Sequence, residues 1–286
     1  MREALSAGVI RPARRPVGWR APGPPPGGAV EDGHLGPGPG EDLCYLAGDW
    51  RILQRVDGQR WSLDDLVTAW LAAEEAHAAP AASLLDLGCG IGAVLMLLAW
   101  RFPQARAVGI EAQAVSVDLA QRSLAWNGAA DRCAVVHGDL RDPAVLRPGA
   151  AFDLMTGTPP YLRPGTATPS ARMQRGPAHL ELRGGIEAYC LAAARWLAPG
   201  GRFVACAAAA QLRRVSEAAT AAGLHLTRRR DVIPRAGKPA LFSVHVMRPG
   251  RSASEPALDP PLVVRDAAGQ RTPAFRALRE RMGMPP

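Results

Sequence analysis

The chain has 286 residues, of which 48% are hydrophobic, and its formal net charge is +8. This size allows one large domain with extensions, and the apolar fraction excludes a wholly disordered chain. No apolar run approaches the roughly 20 residues that a membrane helix needs, and Pro12, Arg14 and Arg15 interrupt the region where a secretory signal needs an apolar core. The five cysteines form no CxxC pair, which argues against a metal site or a disulfide framework and favours a cytoplasmic location.

Charge is distributed unevenly along the chain. Residues 41–161 carry a net charge of −6, whereas residues 211–286 carry one of +8. Lys238 is the single lysine, so almost all the positive charge is arginine. The planar guanidinium group matches the geometry of a phosphate. The two portions of the chain are therefore expected to have different tasks.

Composition and patterning divide the chain into four segments. Pro- and Gly-rich runs near the start rarely pack into a core and predict disorder. Ser62 is placed to cap a helix, with Asp65 accepting a hydrogen bond back from it. The predicted segments are a disordered leader at 1–40, a helical extension at 41–80, the main domain at 81–248 and a basic C-terminal tail at 249–286.

Short apolar runs alternate with longer amphipathic stretches in the main domain. Helices are predicted at about 63–78, 93–102, 113–126, 182–197 and 211–222, with a short amphipathic stretch near 274–282. Strands are predicted at about 82–87, 107–110, 133–136, 152–155, 202–207, 224–230 and 240–247. Such alternation predicts an α/β, Rossmann-like fold with a seven-stranded, mostly parallel sheet and an antiparallel closing strand pair.

A glycine-rich loop joins the first strand of this domain to a helix. Its sequence is Asp86-Leu-Gly88-Cys-Gly90-Ile-Gly92, in which an acid stands two residues before the first glycine. Glycines let the backbone approach a ligand closely. The spacing differs from the G-x-G-x-x-G of dinucleotide-binding loops, and a carboxylate at Asp86 would repel a pyrophosphate. The loop therefore favours a ligand with an ammonium or sulfonium group, such as S-adenosylmethionine, over NAD.

Two further acids end the next two strands. Glu111 can accept both hydroxyls of a ribose, and Asp139 can accept the amine of an adenine. Because the carboxyl ends of parallel strands meet at one edge of a sheet, these acids and Asp86 are predicted to line one crevice. The predicted cofactor-binding residues are Asp86, Gly88, Cys89, Gly90, Glu111, Ala112, Asp139 and Leu140.

The fourth strand is followed by Thr158-Pro159-Pro160-Tyr161. The two prolines lack N–H donors, which leaves the Pro159 carbonyl free to accept a hydrogen bond. Tyr161 offers a flat face on which a base can stack. Hydrogen bonds accepted from a conjugated amine would align its lone pair with the methyl group of a sulfonium, by positioning and electrostatics alone. We predict that Thr158, Pro159 and Tyr161 form the catalytic segment.

These motifs resemble those of class I S-adenosylmethionine-dependent methyltransferases. More narrowly, the chain resembles the bacterial tRNA(Val) adenine-N6 methyltransferase family and, more distantly, the protein-glutamine N5 methyltransferases. The resemblance covers roughly residues 57–248. It implies S-adenosylmethionine as cofactor and adenine N6 in tRNA or another RNA as the methyl acceptor. A protein glutamine or a small-molecule amine remains an alternative acceptor.

The chain departs from the family pattern at one position. The family has Asn-Pro-Pro-Tyr, and this chain has Thr158 in place of the asparagine. The amide oxygen of that asparagine accepts a hydrogen of the amine, whereas a threonine hydroxyl is shorter and accepts while donating elsewhere. A non-catalytic protein that binds cofactor or RNA is therefore a further alternative.

Basic residues flank the catalytic segment and the closing strand pair. A phosphate-binding rim would give salt-sensitive contact with an RNA backbone. The predicted rim residues are Arg163, Arg172, Arg175, Arg235 and Lys238. We expect a monomer that acts on RNA and needs neither a membrane nor a metal.

Overall fold

The computed structural model describes residues 8–27, 35–78, 81–161, 181–252 and 254–286. Twelve strands and six α-helices lie within these ranges, together with a short 3-10 helix at Ala209–Gln211. The helices are α1 (Leu63–Ala78), α2 (Ala93–Arg101), α3 (Ala114–Trp126), α4 (Ile186–Trp196), α5 (Leu212–Ala221) and α6 (Pro273–Arg281). Within these ranges, none of the helices is both long enough and apolar enough to span a bilayer.

The main sheet has nine strands. They are β4 (Ser83–Leu87), β5 (Arg106–Glu111), β6 (Cys133–His137), β7 (Phe152–Gly157), β8 (Leu197–Ala208), β9 (Leu224–Ile233), β10 (Phe242–Pro249), β11 (Ala257–Leu258) and β12 (Leu262–Val263). The order is β6-β5-β4-β7-β8-β10-β9, and β11 and β12 both pair with β9. The strands β4 to β8 pair in parallel, and β10 is antiparallel to both of its neighbours. The predicted Rossmann-like sheet with an antiparallel closing pair is confirmed.

Helices cover both faces of this sheet. Leu84 and Leu154 belong to a core that they share with α1, α2 and α3. Their chain neighbours Leu85 and Met155 belong to the opposite core, with α4 and α5. Successive side chains of a strand point to opposite faces, so a strand that is buried on both faces consists almost entirely of apolar residues. This burial explains the short apolar runs of the sequence.

A smaller sheet precedes α1, and here the structure differs from the predicted helical extension. It contains β1 (Val9–Ile10), β2 (Glu41–Tyr45) and β3 (Arg51–Arg55). The predicted helix at 63–78 is present, and Ser62 N donates to Asp65 at 2.9 Å as the capping pattern indicated. Strand β3 packs on α3, where Leu53 N donates to the Ser123 hydroxyl at 2.9 Å. Contact with α3, which lies outside this segment, stabilises the two strands within residues 41–55.

Part of the Pro- and Gly-rich leader lies against the domain. Arg15 bonds to Asp49 at 2.7 Å, and Gly27 N donates to Asn127 O at 3.2 Å. Gly23 has a φ of +81° and lies against the indole of Trp100, where a side chain would clash. Residues 8–27 are therefore ordered in the structure, which differs from the predicted disorder. Their turns make contacts with the domain that composition alone does not reveal. The predicted disorder of 1–7 and 28–34 falls outside the described residues.

The predicted basic tail is also integrated into the fold. Strands β11 and β12 extend the sheet beside β9. Helix α6 corresponds to the predicted amphipathic stretch, buries Phe275 and Leu278, and is capped by Thr272, whose hydroxyl accepts from Phe275 N at 3.2 Å. Asp259 accepts hydrogen bonds from Arg228 and Arg230 of β9. The segment therefore completes one edge of the domain.

Candidate active site

The glycine loop between β4 and α2 brings backbone close to two side chains. Gly88 and Gly90 have φ values of +57° and +55°, in the left-handed region that favours glycine. A Cβ at Gly88 would lie 2.1 Å from the Tyr189 hydroxyl, and one at Gly90 would lie 2.9 Å from Gln59 Nε2. The loop is therefore packed so tightly that its backbone itself forms part of a pocket wall.

Glu111 ends β5 and is held in place by backbone donors. Its Oε2 accepts from Gly90 N at 3.0 Å and its Oε1 accepts from Gln113 N at 2.7 Å. Burial raises the pKa of this carboxyl, and the backbone N–H groups act in the opposite direction. The two bonds orient the carboxylate in the pocket that the glycine loop borders.

Asp139 lies after β6 and is paired with a nearby arginine. The Arg141 guanidinium donates to both carboxylate oxygens, at 2.9 Å to Oδ1 and 2.6 Å to Oδ2. This pairing holds the pKa of Asp139 below its usual value. A ligand that uses Asp139 as an acceptor would therefore compete with Arg141 for its oxygens.

Asp86 is buried beneath the glycine loop with one oxygen unpaired. Thr156 Oγ1 donates to Asp86 Oδ1 at 2.7 Å. Among the described residues no donor meets hydrogen-bond geometry with Oδ2, which is also shielded from solvent, although the Leu95 N–H is near enough to the carboxyl to act against a rise in its pKa. Burial raises the pKa of Asp86 to about 7. A buried acceptor without a partner has a free-energy cost that a cationic ligand would relieve.

The pocket gathers residues from all four central strand ends. Most of the predicted cofactor residues line it, and Thr158 and Pro160 reach the same wall from the end of β7. The predicted residues that line it are Gly88, Gly90, Glu111, Ala112, Asp139, Leu140 and Thr158. Asp86, Cys89 and Pro159 are buried beside it, and the Cys89 thiol packs on Gly109.

Tyr161 occupies a different place from the one predicted. Its hydroxyl donates to Asp64 of α1 at 3.1 Å and lies 2.8 Å from Cys206 Sγ of β8. Burial raises the pKa of this phenol well above its usual value. Of the described residues that line the pocket, Tyr161 is not one. The hydroxyl of Tyr161 therefore packs beneath the catalytic segment, and the stacking role of its ring stays a prediction.

The predicted basic rim is described only in part. Arg163, Arg172 and Arg175 lie outside the described residues. Arg235 and Lys238 are exposed in the β9–β10 loop. This loop is at the carboxyl edge of the sheet, because Phe242 pairs with Ala208 at the end of β8. Neither residue lines the pocket, and Arg235 donates to Ala267 O at 2.7 Å.

Several residues that line or support the pocket were absent from the predicted site, and four of them come from elements other than the predicted strand ends or contact Asp86. Tyr189 and Arg183 come from the segment at and before α4, Gln59 comes from the segment before α1, and Thr156 supports Asp86 from β7. Arg183 is exposed and lowers the pKa of both Glu111 and Asp139 by its charge. Local spacing carries no signal for these residues, since they reach the pocket through the pairing of distant elements.

Comparison with known proteins identifies the domain that holds this pocket. Residues 84–163 match the family model described as a methyltransferase domain. The fold also resembles that of a predicted O-methyltransferase from Agrobacterium tumefaciens, at 19% identity and a TM-score of 0.58, over 78% of this chain and 98% of that one.

Two kinds of N-methyltransferase are among the curated relatives of this chain. A tRNA1(Val) (adenine(37)-N6)-methyltransferase of Porphyromonas gingivalis is 33% identical over 140 residues, or 48% of this chain and 54% of the relative. A release factor glutamine methyltransferase of Bradyrhizobium diazoefficiens is 33% identical over 176 residues, or 58% of this chain and 57% of the relative. The chain thus spans a little over half the length of these relatives. The resemblance to both N-methyltransferase families that the sequence indicated is confirmed.

Proposed function

We propose that the protein is an S-adenosylmethionine-dependent N-methyltransferase that methylates an exocyclic amine, namely adenine N6 in tRNA or another RNA. One observation carries this proposal: Thr158 and Pro160 line the same pocket as Glu111 and Asp139. A segment suited to an amine and acids suited to a nucleoside therefore share one space.

The residues of the pocket fit the proposed cofactor. The unpaired, buried Oδ2 of Asp86 suits a positively charged group, and the crowded backbone at Gly88 and Gly90 leaves no room for side chains. Glu111 would accept the ribose hydroxyls, and Asp139 would accept the adenine amine on exchange with Arg141. When bound, S-adenosylmethionine supplies an electrophilic methyl group on a sulfonium.

The catalytic segment positions the acceptor nitrogen. An aromatic amine delocalises its lone pair into the ring and is a weak nucleophile. Acceptors for its N–H groups favour a tetrahedral nitrogen whose lone pair is directed out of the ring plane. Thr158 and Pro160 line the pocket wall, and neither Pro159 nor Pro160 has an N–H donor that would compete for an acceptor. This chain's contribution to catalysis is therefore placement of the amine.

Incubation of the purified protein with bulk tRNA and methyl-labelled S-adenosylmethionine tests the proposal. We expect label in RNA that digests to N6-methyladenosine, and loss of this label in Glu111→Ala. Arg213→Gln is a matched control, because Arg213 is exposed on α5 and pairs with Glu217 at 2.7 Å. Transfer to protein or to a small amine, with none to RNA, would reject adenine as the acceptor.

A glutamine side chain in a protein is the second candidate acceptor. The similarity to the Bradyrhizobium diazoefficiens release factor glutamine methyltransferase extends over more of this chain than the similarity to the tRNA enzyme. An amide nitrogen is also planar and weakly nucleophilic, so the same positioning would serve it. Salt separates the candidates, since affinity for RNA falls steeply with salt concentration.

A further inference from the structure

A second cavity, distinct from the active-site pocket, is strongly basic. It encloses about 590 Å³ between residues 11–15, strand β2, residues 60–61 and residues 279–285. We call it the arginine groove. Its five arginines are Arg11, Arg14, Arg15, Arg60 and Arg279.

Carboxylates neutralise only part of this charge. Asp42 pairs with both Arg11 and Arg60, at 2.9 and 3.1 Å, and Asp49 pairs with Arg15 at 2.7 Å. Among the described residues, two carboxylates therefore pair with three of the five arginines, which leaves an excess of three positive charges. Like charges confined to one cavity favour the binding of an anion.

Two of the arginines lack an acidic partner. Arg14 is exposed, and its side chain makes no hydrogen bond or ion pair with the described residues. Arg279 is half-buried, and its Nε donates to the neutral carbonyl of Pro285 at 2.8 Å. Burial and the charge of Arg271 lower the pKa of Arg279 to about 10. Arg279 is therefore a partly desolvated cation that has no carboxylate partner among the described residues.

The aromatic side chain of Tyr45 orders one end of the groove. The guanidinium of Arg15 lies 4.5 Å from the ring centroid and that of Arg51 lies 4.0 Å from it. Arg51 also donates to the Tyr45 hydroxyl at 2.6 Å. Stacked guanidinium groups lose little further freedom when they bind an anion, which favours binding.

The groove and the active-site pocket adjoin along the chain. Gln59 lines the pocket, and the next two residues, Arg60 and Trp61, line the groove. A ligand with several phosphates could thus extend from one cavity into the other. The groove itself lies outside residues 84–163, the part that matches the methyltransferase family model.

We propose that the arginine groove binds the sugar–phosphate backbone of the RNA substrate beside the nucleotide that enters the active site. This inference rests on the proposed function for its choice of RNA. Arginine forks bind phosphate oxygens in a bidentate manner, and such contacts position a nucleic acid without reading its sequence. An acidic polypeptide would match the charge, but it would not account for the position of Arg60 and Trp61 directly after Gln59 of the active-site pocket.

Fluorescence anisotropy with labelled bulk tRNA, over a series of salt concentrations, tests the groove in the full chain. Arg14→Gln should raise the Kd about three- to tenfold, the effect of losing one ordinary hydrogen bond at an exposed position. It should also reduce the slope of log K against log salt by about 0.7 to 0.9. Arg279→Gln should act in the same direction. Arg14→Lys should restore much of the affinity, because it keeps the charge.

Arg276→Gln is the matched control, since Arg276 is exposed on the same helix as Arg279 and does not line the groove. S-adenosylmethionine affinity, measured by calorimetry, should be the same in Arg14→Gln as in the unaltered chain. If Arg14→Gln and Arg279→Gln have the same tRNA affinity and salt slope as the control Arg276→Gln, the proposal that the groove binds RNA is wrong. Tighter binding of polyglutamate than of tRNA, abolished by Arg14→Gln, would also overturn it.

The labelled-transfer assay separates this inference from the proposed function. If tRNA is methylated and all groove variants bind it normally, the proposed function is supported and the proposal that the groove binds RNA is rejected. If the groove variants lose tRNA affinity but no RNA is methylated, the groove stands and the acceptor assignment fails.

Discussion

Thr156 Oγ1 donates a 2.7 Å hydrogen bond to Asp86 Oδ1, and the two residues are register partners on the neighbouring strands β7 and β4. The bond satisfies one carboxylate oxygen, and no donor among the described residues satisfies the other. Burial raises the pKa of Asp86 to about 7. The charge of Asp86, which is buried beside the active-site pocket, therefore changes near neutral pH.

We expect S-adenosylmethionine affinity to fall as pH decreases from 8 to 6. Above pH 7 Asp86 is ionised and attracts a cationic ligand, whereas below pH 7 it is mostly protonated and neutral. Calorimetric titration at several pH values measures the effect. Asp86→Asn should bind weakly with a flat profile, and Thr156→Val should move the midpoint to higher pH. An unchanged Kd in Asp86→Asn would contradict the assignment.

The same carboxyl should lower the stability of the ligand-free protein at neutral pH. Its pKa in the folded chain is about 7 against an ordinary value of 3.8, so the folded state holds the proton over a range in which the unfolded state has lost it. Stability from this group therefore falls as pH rises from about 4 to 7. Asp86→Asn should have a higher Tm at pH 8, with the difference vanishing near pH 4. Thermal melts at both values check this.

Much of the pocket could be predicted because its acidic residues lie at or near the ends of successive strands, which the sequence pattern reveals. Asp86, Glu111 and Asp139 each follow or end a strand, and carboxyl ends of parallel strands share one edge. Tyr189 had no such signal, because it reaches Gly88 only when α4 packs across the edge. Thr156 supports Asp86 through strand register, which sequence spacing does not specify.

The crowding at Gly88 predicts a sharp contrast between two glycines with positive φ. Gly149→Ala places a Cβ in open space at a φ of +78°, so it should cost only about 1–2 kcal/mol of strain. Gly88→Ala adds a clash 2.1 Å from the Tyr189 hydroxyl and should cost about 2–4 kcal/mol in total. Only Gly88→Ala should reduce cofactor affinity. Urea unfolding measures the stability of the two variants, and calorimetry measures their cofactor affinity. Equal effects of the two substitutions would contradict the packing argument.

Two adjacent arginines of α5 should differ widely in their contribution to stability. Arg214 pairs with Glu181, whose side chain is 8% exposed, at 2.6 Å, and it also pairs with Glu187. Arg214→Gln leaves a buried carboxylate unpaired and should cost about 3 kcal/mol. Arg213 is 92% exposed, and Arg213→Gln should leave the free energy of unfolding nearly unchanged. Urea unfolding measures both; similar costs would contradict the burial argument.

The segments outside the main domain were predicted less well, for a related reason. Arg228 and Arg230 lie in the basic closing strand pair, yet both pair with Asp259, which lies beyond that pair in the chain. Arg11 and Arg60 likewise converge on Asp42, although they are far apart in sequence. Composition records how many charges a segment has, whereas folding decides which of them are neutralised.

The clearest test of the amine-positioning argument is Thr158→Asn. Thr158 lines the active-site pocket, and an asparagine there would add an amide oxygen that accepts without having to donate. We expect faster methyl transfer to adenine in tRNA at saturating RNA, with unchanged cofactor affinity, because the gain acts on the acceptor nitrogen. Single-turnover transfer and calorimetry separate the two quantities.

Thr158→Val is the control, since it removes the hydroxyl at similar size and should slow transfer. If the unaltered chain is inactive and Thr158→Asn restores transfer, the natural protein binds RNA and cofactor without turnover. Equal rates for threonine, valine and asparagine would show that residue 158 does not position the amine.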